Sequence, residues 1–294
     1  MKILISGATG FIGTHLIKRL LEEDNSLYAI VRPSTDINVL SKKVTPYVFD
    51  NDIDSLISFM RTEKFDGIIH LASVFLAQHK PEEVRKLVDS NVVFGTLLLE
   101  ASVKSDVPWF VNTGTFWQHY QDKEYSPVNL YSATKQAFED ISKYYIEISP
   151  INFVTIKLYD TFGPLDTRPK IFNLWTKISK TNEALDMSGG EQIINMNYIG
   201  NVIDGYVRMI TLLKDDSEKK MCGRSFTVRS DEILTLKQLA TLFERVINTK
   251  LNINWGKKDY RPREVMVPWT LGENIPGWKP LVSIEEGIRK TFDL

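Results

Sequence analysis

Two groups of residues in this sequence have the types and spacing to do chemistry. In Tyr131-Ser132-Ala133-Thr134-Lys135 a phenol and an ammonium stand four residues apart, which on a helix places them on one face. Of the 11 tyrosines this is the one followed by a lysine at that spacing. A free phenol titrates at about pH 10 and is a poor base near neutrality. A neighbouring ammonium favours the phenolate and draws that value down, so the pair is suited to exchanging a proton with a carbonyl or hydroxyl group. The second group is Gly7-Ala8-Thr9-Gly10-Phe11-Ile12-Gly13. Gly7 permits a tight turn, Gly10 lets backbone approach a pyrophosphate, and Gly13 brings a helix close to a sheet. The start of that helix then offers free N–H groups and partial positive charge to phosphates.

A dinucleotide and a proton donor together make hydride transfer to or from a nicotinamide ring the expected chemistry. The end of the second strand selects the cofactor. A carboxylate there binds ribose hydroxyls in NAD sites, whereas an arginine accommodates the 2′-phosphate of NADP. The segment reads Ala29-Ile30-Val31-Arg32-Pro33-Ser34, so NADP(H) is expected, with Arg32 as a charge-assisted fork. Asp50, just after the third strand, is placed to accept from the adenine amino group.

These groups need a scaffold. Short β-branched runs alternate with amphipathic stretches: strands at 2–6, 27–31, 44–49, 66–71, 109–112 and 153–158, with helices at 11–23, about 53–62, within 81–105 and at 131–148. That alternation demands crossovers and a parallel sheet covered on both faces. The predicted fold class is a Rossmann-type, doubly wound α/β sheet carrying a smaller C-terminal lobe. The dinucleotide-binding domain is expected over 1–162, with about 195–215 returning to it, and 163–294 is expected to form mainly the substrate lobe. In that lobe helices are expected over 169–180, 202–213, 235–247 and 283–292, and a short strand over 226–229.

Composition narrows the partners. The 294 residues carry 36 Lys plus Arg against 37 Asp plus Glu, a net charge of −1. That balance lacks the basic excess that nucleic acid or a membrane surface demands. The single cysteine, Cys222, excludes an internal disulfide and fits a reducing cytoplasm. The four histidines (His15, His70, His79, His119) show no metal-ligand spacing, and no metal is expected. The N-terminal apolar run is too short for a secretion signal, so a cytoplasmic location is expected.

The glycine fingerprint, His70-Leu71-Ala72-Ser73, Asn91-Val92 with Gly95-Thr96, Tyr131/Lys135, Gly163-Pro164, Gly189-Gly190 with Tyr198-Ile199, Arg261-Pro262-Arg263-Glu264 and Gly277-Trp278-Lys279-Pro280 together resemble the extended short-chain dehydrogenase/reductase family of NAD(P)-dependent nucleotide-sugar enzymes. The resemblance spans nearly the whole chain. It implies a nucleotide-sugar substrate, cofactor contacts from Leu71, Ala72, Ser73 and Asn91, and a catalytic hydroxyl at Thr113, with Thr115 in reserve. It also implies substrate contacts from Thr115, Asp160, Thr161, Lys170 and Arg263, and a homodimer formed through two helices of each subunit. Arg168 is a further candidate to assist from the same loop. Family dehydratases place an Asp-Glu pair directly after the catalytic threonine, where this chain has Gly114-Thr115, which argues against dehydration. The segments 112–115 and 159–164 are similar to those of CDP-abequose and CDP-paratose synthases. The expected reaction is therefore NADPH-dependent reduction of the 4-keto group of a CDP- or dTDP-linked deoxyhexulose in deoxysugar and O-antigen synthesis. An epimerase holding its NAD(P) tightly is the enzymatic alternative, and a non-catalytic NADP sensor is the alternative of another class. Ile194-Asn195-Met196 stands where relatives usually have Arg-Asp-Phe, and this leaves the local lobe contacts open.

Overall fold

The computed structural model describes residues 1–293. In chain order the first half runs β1 (Lys2–Ser6), α1 (Phe11–Glu22), β2 (Ser26–Val31), β3 (Val44–Val48), α2 (Ile53–Glu63), β4 (Gly67–His70), α3 (Val84–Val88), α4 (Phe94–Lys104), β5 (Trp109–Thr115), α5 (Leu130–Ile148) and β6 (Asn152–Leu158). The second half adds β7 (Asp160–Phe162), α6 (Ile171–Thr181), β8 (Leu185–Asp186), β9 (Ile193–Ile194), β10 (Met196–Tyr198), α7 (Ile199–Asp215), β11 (Ser225–Thr227), β12 (Leu234–Thr235), α8 (Leu236–Ile247), β13 (Ile253–Asn254) and α9 (Ile284–Phe292). Seven strands form one sheet in the order β11-β6-β5-β4-β1-β2-β3, and every pairing in it is parallel. This is the doubly wound Rossmann-type sheet.

The strands read as nearly continuous apolar runs because both sheet faces are covered. On one face Ile3, Ile5, Val111 and Ile156 pack under α1 and α7 through Leu16, Leu20, Val202 and Met209. On the other, Leu4, Ile68, Phe110 and Phe153 pack under α2, α4 and α5, which contribute Leu56, Leu98 and Phe138. Strand order reverses between β1 and β4, and a ligand crevice opens at the carboxyl ends of strands on either side of such a reversal. Both the glycine turn after β1 and the Leu71–Ser73 loop after β4 start there.

A third apolar cluster, with Phe162, Phe172, Trp175, Phe243 and Ile288, builds the smaller lobe from α6, α8 and α9. Three two-stranded sheets, β10 with β7, β12 with β9 and β13 with β8, stitch it together. Asn195 sits buried between β9 and β10. Its amide donates to Ser230 O at 2.7 Å and accepts from Ser230 N at 3.2 Å, so neutral hydrogen bonds hold this segment.

The structure extends the sequence reading in three places. β5 continues three residues beyond Asn112, to Thr115. The strand expected over 226–229 is an edge strand of the main sheet, since β11 pairs in parallel with β6. The helical stretch expected within 81–105 is interrupted, because a π-helical turn over Asp89–Val93 joins α3 to α4.

Candidate active site

Each catalytic candidate is positioned by a nearby structural cause. Asn129 caps α5, its side chain accepting from Ser132 N at 3.0 Å, and so fixes where the helix carrying Tyr131 and Lys135 begins. Tyr131 meets the edge of Phe75, with ring centroids 5.0 Å apart. Lys135 is buried, and its ammonium has no hydrogen-bond partner among the described residues. Burial lowers its pKa to about 8, against which the carboxylate of Glu139, one turn further along α5, works only in part. Burial also raises the Tyr131 phenol to about 12, with the Ser73 hydroxyl acting weakly in the opposite direction. The sequence leads one to expect a lowered phenol. In the structure burial dominates instead and moves the phenol upward, so Tyr131 carries its proton and can donate it.

The two threonines of the β5 end are distinguishable. Thr113 Oγ1 lies 2.7 Å from the hydroxyl of Tyr206 on α7. That phenol is close enough to Tyr131 for the charge of one to disfavour ionisation of the other. Thr115 Oγ1 accepts from Trp117 N at 3.3 Å and caps the short helical turn after β5. Thr113 is therefore joined to a phenol that senses Tyr131, and Thr115 is engaged in holding the loop. Sequence reading missed Tyr206, which in the apolar stripe of α7 looks like any core aromatic.

The cofactor turn has the form its glycines suggest. Gly7 has φ +73°, a conformation that favours glycine, and a β-carbon there would meet Ala72 N at 2.6 Å. A β-carbon on Gly13 would overlap Gly7 O. Gly10 N donates to Gly7 O at 3.0 Å, and Thr9 is exposed at the tip of the turn, with Phe11 and Ile12 half-buried behind it. Arg32 is exposed at the end of β2 and makes no ion pair among the described residues. The nearby Asp36 carboxylate is engaged in capping, accepting from Asn38 N at 3.0 Å. Asp50 is exposed and accepts from Asp52 N at 3.2 Å.

Asn91 braces the loop after β4. The π turn aims it inward, where its amide oxygen accepts from Val74 N (2.8 Å) and Ser73 Oγ (3.1 Å). Its amide nitrogen donates to Val74 O and Thr134 Oγ1, each at 3.0 Å. The side chain thus braces the loop of Leu71, Ala72 and Ser73 against α5. Below that loop Ser6 Oγ bonds to His70 Nδ1 at 2.7 Å and accepts from Ala72 N at 3.3 Å.

Beside the catalytic groups opens a cleft of about 1290 Å³ whose walls come from both lobes. Asp160 and Lys170 face each other across 4.0 Å, and the Lys170 ammonium lies 4.3 Å over the Phe75 ring. Thr161 is buried, and its hydroxyl accepts from Arg168 at 3.1 Å, while Arg168 also forks onto Asp166 at 2.7 Å. Arg263 lines the cleft, donating to Ser126 Oγ at 2.8 Å and lying 4.3 Å over Tyr120. Arg261, which sequence reading noted only as part of a motif, also lines it, paired with Glu264 at 2.8 Å over the face of Trp117. His119 stacks on Trp269 at 3.7 Å and bonds to Lys157 Nζ at 2.8 Å, with Lys157 paired to the buried Glu139 at 3.2 Å. Burial and the Lys157 charge lower His119 to about 4, so it stays neutral and structural. Trp278 is core, its indole donating to Asn201 O at 2.9 Å.

The residues fit a nicotinamide dinucleotide. The glycine turn is so tight that a β-carbon at Gly7 or Gly13 would collide with backbone, and the Lys135 ammonium, without a partner among the described residues, is a buried donor suited to an acceptor such as a ribose hydroxyl. The model of the NAD dependent epimerase/dehydratase family matches residues 3–222. The chain belongs to that family. The CDP-abequose synthase of Salmonella muenchen is 27% identical over 297 residues, covering 100% of this chain and 97% of the relative. Among solved structures, the UDP-glucose 4-epimerase of Thermotoga maritima superposes with a TM-score of 0.85 at 19% identity, covering 100% of this chain and 98% of that one. The UDP-glucuronic acid 4-epimerase of Bacillus cereus, in complex with UDP-glucuronic acid and NAD, gives 0.83 at 22% with the same coverage. These two likenesses speak to the fold.

The uncompensated Lys135 carries a testable cost. Its pKa is lower folded than unfolded, so between about pH 8 and the usual 10.5 the unfolded chain binds more protons and stability rises with pH. Below about pH 8 the full penalty is present. Lys135→Met at pH 7 should therefore stabilise the ligand-free protein by about 2 kcal/mol in urea unfolding, with the gain shrinking towards pH 10. A destabilised variant, or a gain independent of pH, would count against a buried, unpaired ammonium.

Proposed function

We propose that the protein is an NADPH-dependent reductase of the 4-keto group of a nucleotide-activated deoxyhexulose, CDP- or dTDP-linked, serving deoxysugar and O-antigen synthesis. The observation that carries the reading is Tyr131, held protonated one helical turn from the buried Lys135 and beside the Thr113–Tyr206 pair. A phenol held as the acid suits a reaction that ends by protonating an oxygen. Likeness to CDP-abequose synthases over essentially the full chain supports this substrate class. The absence of an acid–base pair at Gly114-Thr115 weighs against dehydration.

Bound NADPH would supply the hydride that adds to C4 of the sugar. Tyr131 gives its proton to the oxygen on that carbon, so the ketone becomes a hydroxyl, and Thr113 donates a hydrogen bond to the same oxygen as charge builds on it. Lys135 would hold the ribose through its ammonium and favour the phenolate that Tyr131 leaves behind. Arg263 and Arg261 are suited to the diphosphate, and Asp160 with Lys170 to the sugar hydroxyls. Arg32 at the end of β2 would hold a 2′-phosphate, which is the reason for preferring NADPH over NADH. An epimerase is the second reading, supported by the likeness to a UDP-glucuronate 4-epimerase of Arabidopsis thaliana. It would interconvert two sugars with no net consumption of reduced cofactor.

The chain also offers a dimer face. Val84 and Val88 on α3 and Tyr144 and Ile148 on α5 are exposed apolar residues, each pair one helical turn apart, and we propose that they meet their counterparts in a homodimer. Tyr144→Glu should convert the protein to a monomer in sedimentation velocity, and an unchanged dimer would place the contact elsewhere.

With a CDP-4-keto-3,6-dideoxyhexose, Tyr131→Phe should reduce NADPH consumption at 340 nm by about 10²- to 10⁴-fold while leaving NADPH affinity unaltered. A full rate in that variant removes the proton donor from the account. Arg32→Ala should weaken NADPH binding about tenfold and leave NADH binding as it was. Equal effects on both cofactors would contradict the phosphate role.

A further inference from the structure

Tyr206 stands midway along α7, on the face that covers the sheet, and it is fully enclosed. Its hydroxyl lies 2.7 Å from Thr113 Oγ1 and has no other hydrogen-bond partner among the described residues. A buried hydroxyl places its hydrogen on whatever acceptor it can reach, and here that acceptor is Thr113. A phenol is also a stronger acid than an alcohol, so donation runs from Tyr206 to Thr113. The hydrogen of Thr113 is then free to point away from the core. Burial raises the Tyr206 phenol far above the usual tyrosine value, so it keeps its proton across the working pH range.

We infer that Tyr206 is a positioning residue for the reaction, its hydroxyl donating to Thr113 and thereby turning the threonine's own hydrogen toward the substrate oxygen that Tyr131 protonates. The inference rests on the reductase reading above. Hydrogen bonds in such a chain polarise one another, so Thr113 becomes a better donor at the moment negative charge develops on the carbonyl oxygen. The ring of Tyr206 fills core space, which a phenylalanine would fill as well. Only the hydroxyl bears on the chemistry.

The test is a kinetic double-mutant cycle on the full-length enzyme with NADPH and a CDP-4-keto-3,6-dideoxyhexose. Tyr206→Phe should lower kcat about tenfold with KM and NADPH affinity unchanged. Thr113→Val should lower kcat further, about a hundredfold, and adding Tyr206→Phe to it should cost nothing more. A full rate in Tyr206→Phe, or the same tenfold loss in the Thr113→Val background, overturns the inference, since a purely structural role would act regardless of Thr113. A wild-type protein that does not turn over the sugar counts against the functional reading, and a Tyr206→Phe protein that does not fold yields no cycle. In both cases a crystal of the wild type with NADP⁺ and the same CDP-sugar decides the point. Thr113 Oγ1 bridging Tyr206 and the C4 oxygen supports the inference. A threonine turned off Tyr206, or a C4 oxygen beyond hydrogen-bond reach of it, overturns it.

Discussion

A lysine ammonium carried into the interior, with no group among the described residues to accept its hydrogen bonds, is the constraint around which this site is built. Lowering Lys135 from its ordinary 10.5 to about 8 corresponds to roughly 3 kcal/mol of unfavourable burial. A fold under selection for stability alone would place an apolar residue there or bring the Glu139 carboxylate into direct contact. Glu139 instead pairs with Lys157 at 3.2 Å and accepts from Gln118 at 2.8 Å. It stays near enough to moderate the charge of Lys135 without quenching it. The ammonium is thus left without a partner among the described residues, and the same burial raises the Tyr131 phenol.

The rest of the architecture holds this strained pair in place. The reversal of strand order beside β1 and β4 opens the crevice, Asn129 sets the start of α5, and the π turn turns Asn91 inward as a brace between the Ser73 loop and Thr134. π turns recur at functional sites because the extra residue re-aims one side chain without breaking the helix. The smaller lobe contributes arginines and a lysine to one wall of a cleft whose other wall carries Phe75 and Trp117. Basic groups laid over aromatic faces suit a ligand with both phosphates and planar rings.

Much of this can be read from the sequence. β1 through β6 and their helices follow from apolar runs and periodicity, because a two-sided sheet imposes a strong pattern. The glycine turn and the Tyr131/Lys135 pair follow from spacing alone. What the pattern hides is the consequence of three-dimensional proximity. The direction of the Tyr131 shift depends on how much water is excluded, which no spacing encodes. The π turn has nearly the same periodicity as an ordinary helix, and the three two-stranded sheets are too short to alternate visibly. The segment 226–229 reads as a strand, yet nothing local reveals that β11, which overlaps it, pairs with β6. Tyr206 shows no signal beyond its place in an apolar stripe, and its partner lies 93 residues away in the chain.

The central claim is that Lys135 is a buried, partnerless ammonium until a dinucleotide supplies the acceptor. Titration of the labelled lysine by heteronuclear NMR, in the free protein and with saturating NADPH, measures this directly. The account predicts a value near 8 when free and a rise of at least one unit on binding. An ordinary value in the free protein, or one that NADPH leaves in place, would contradict it.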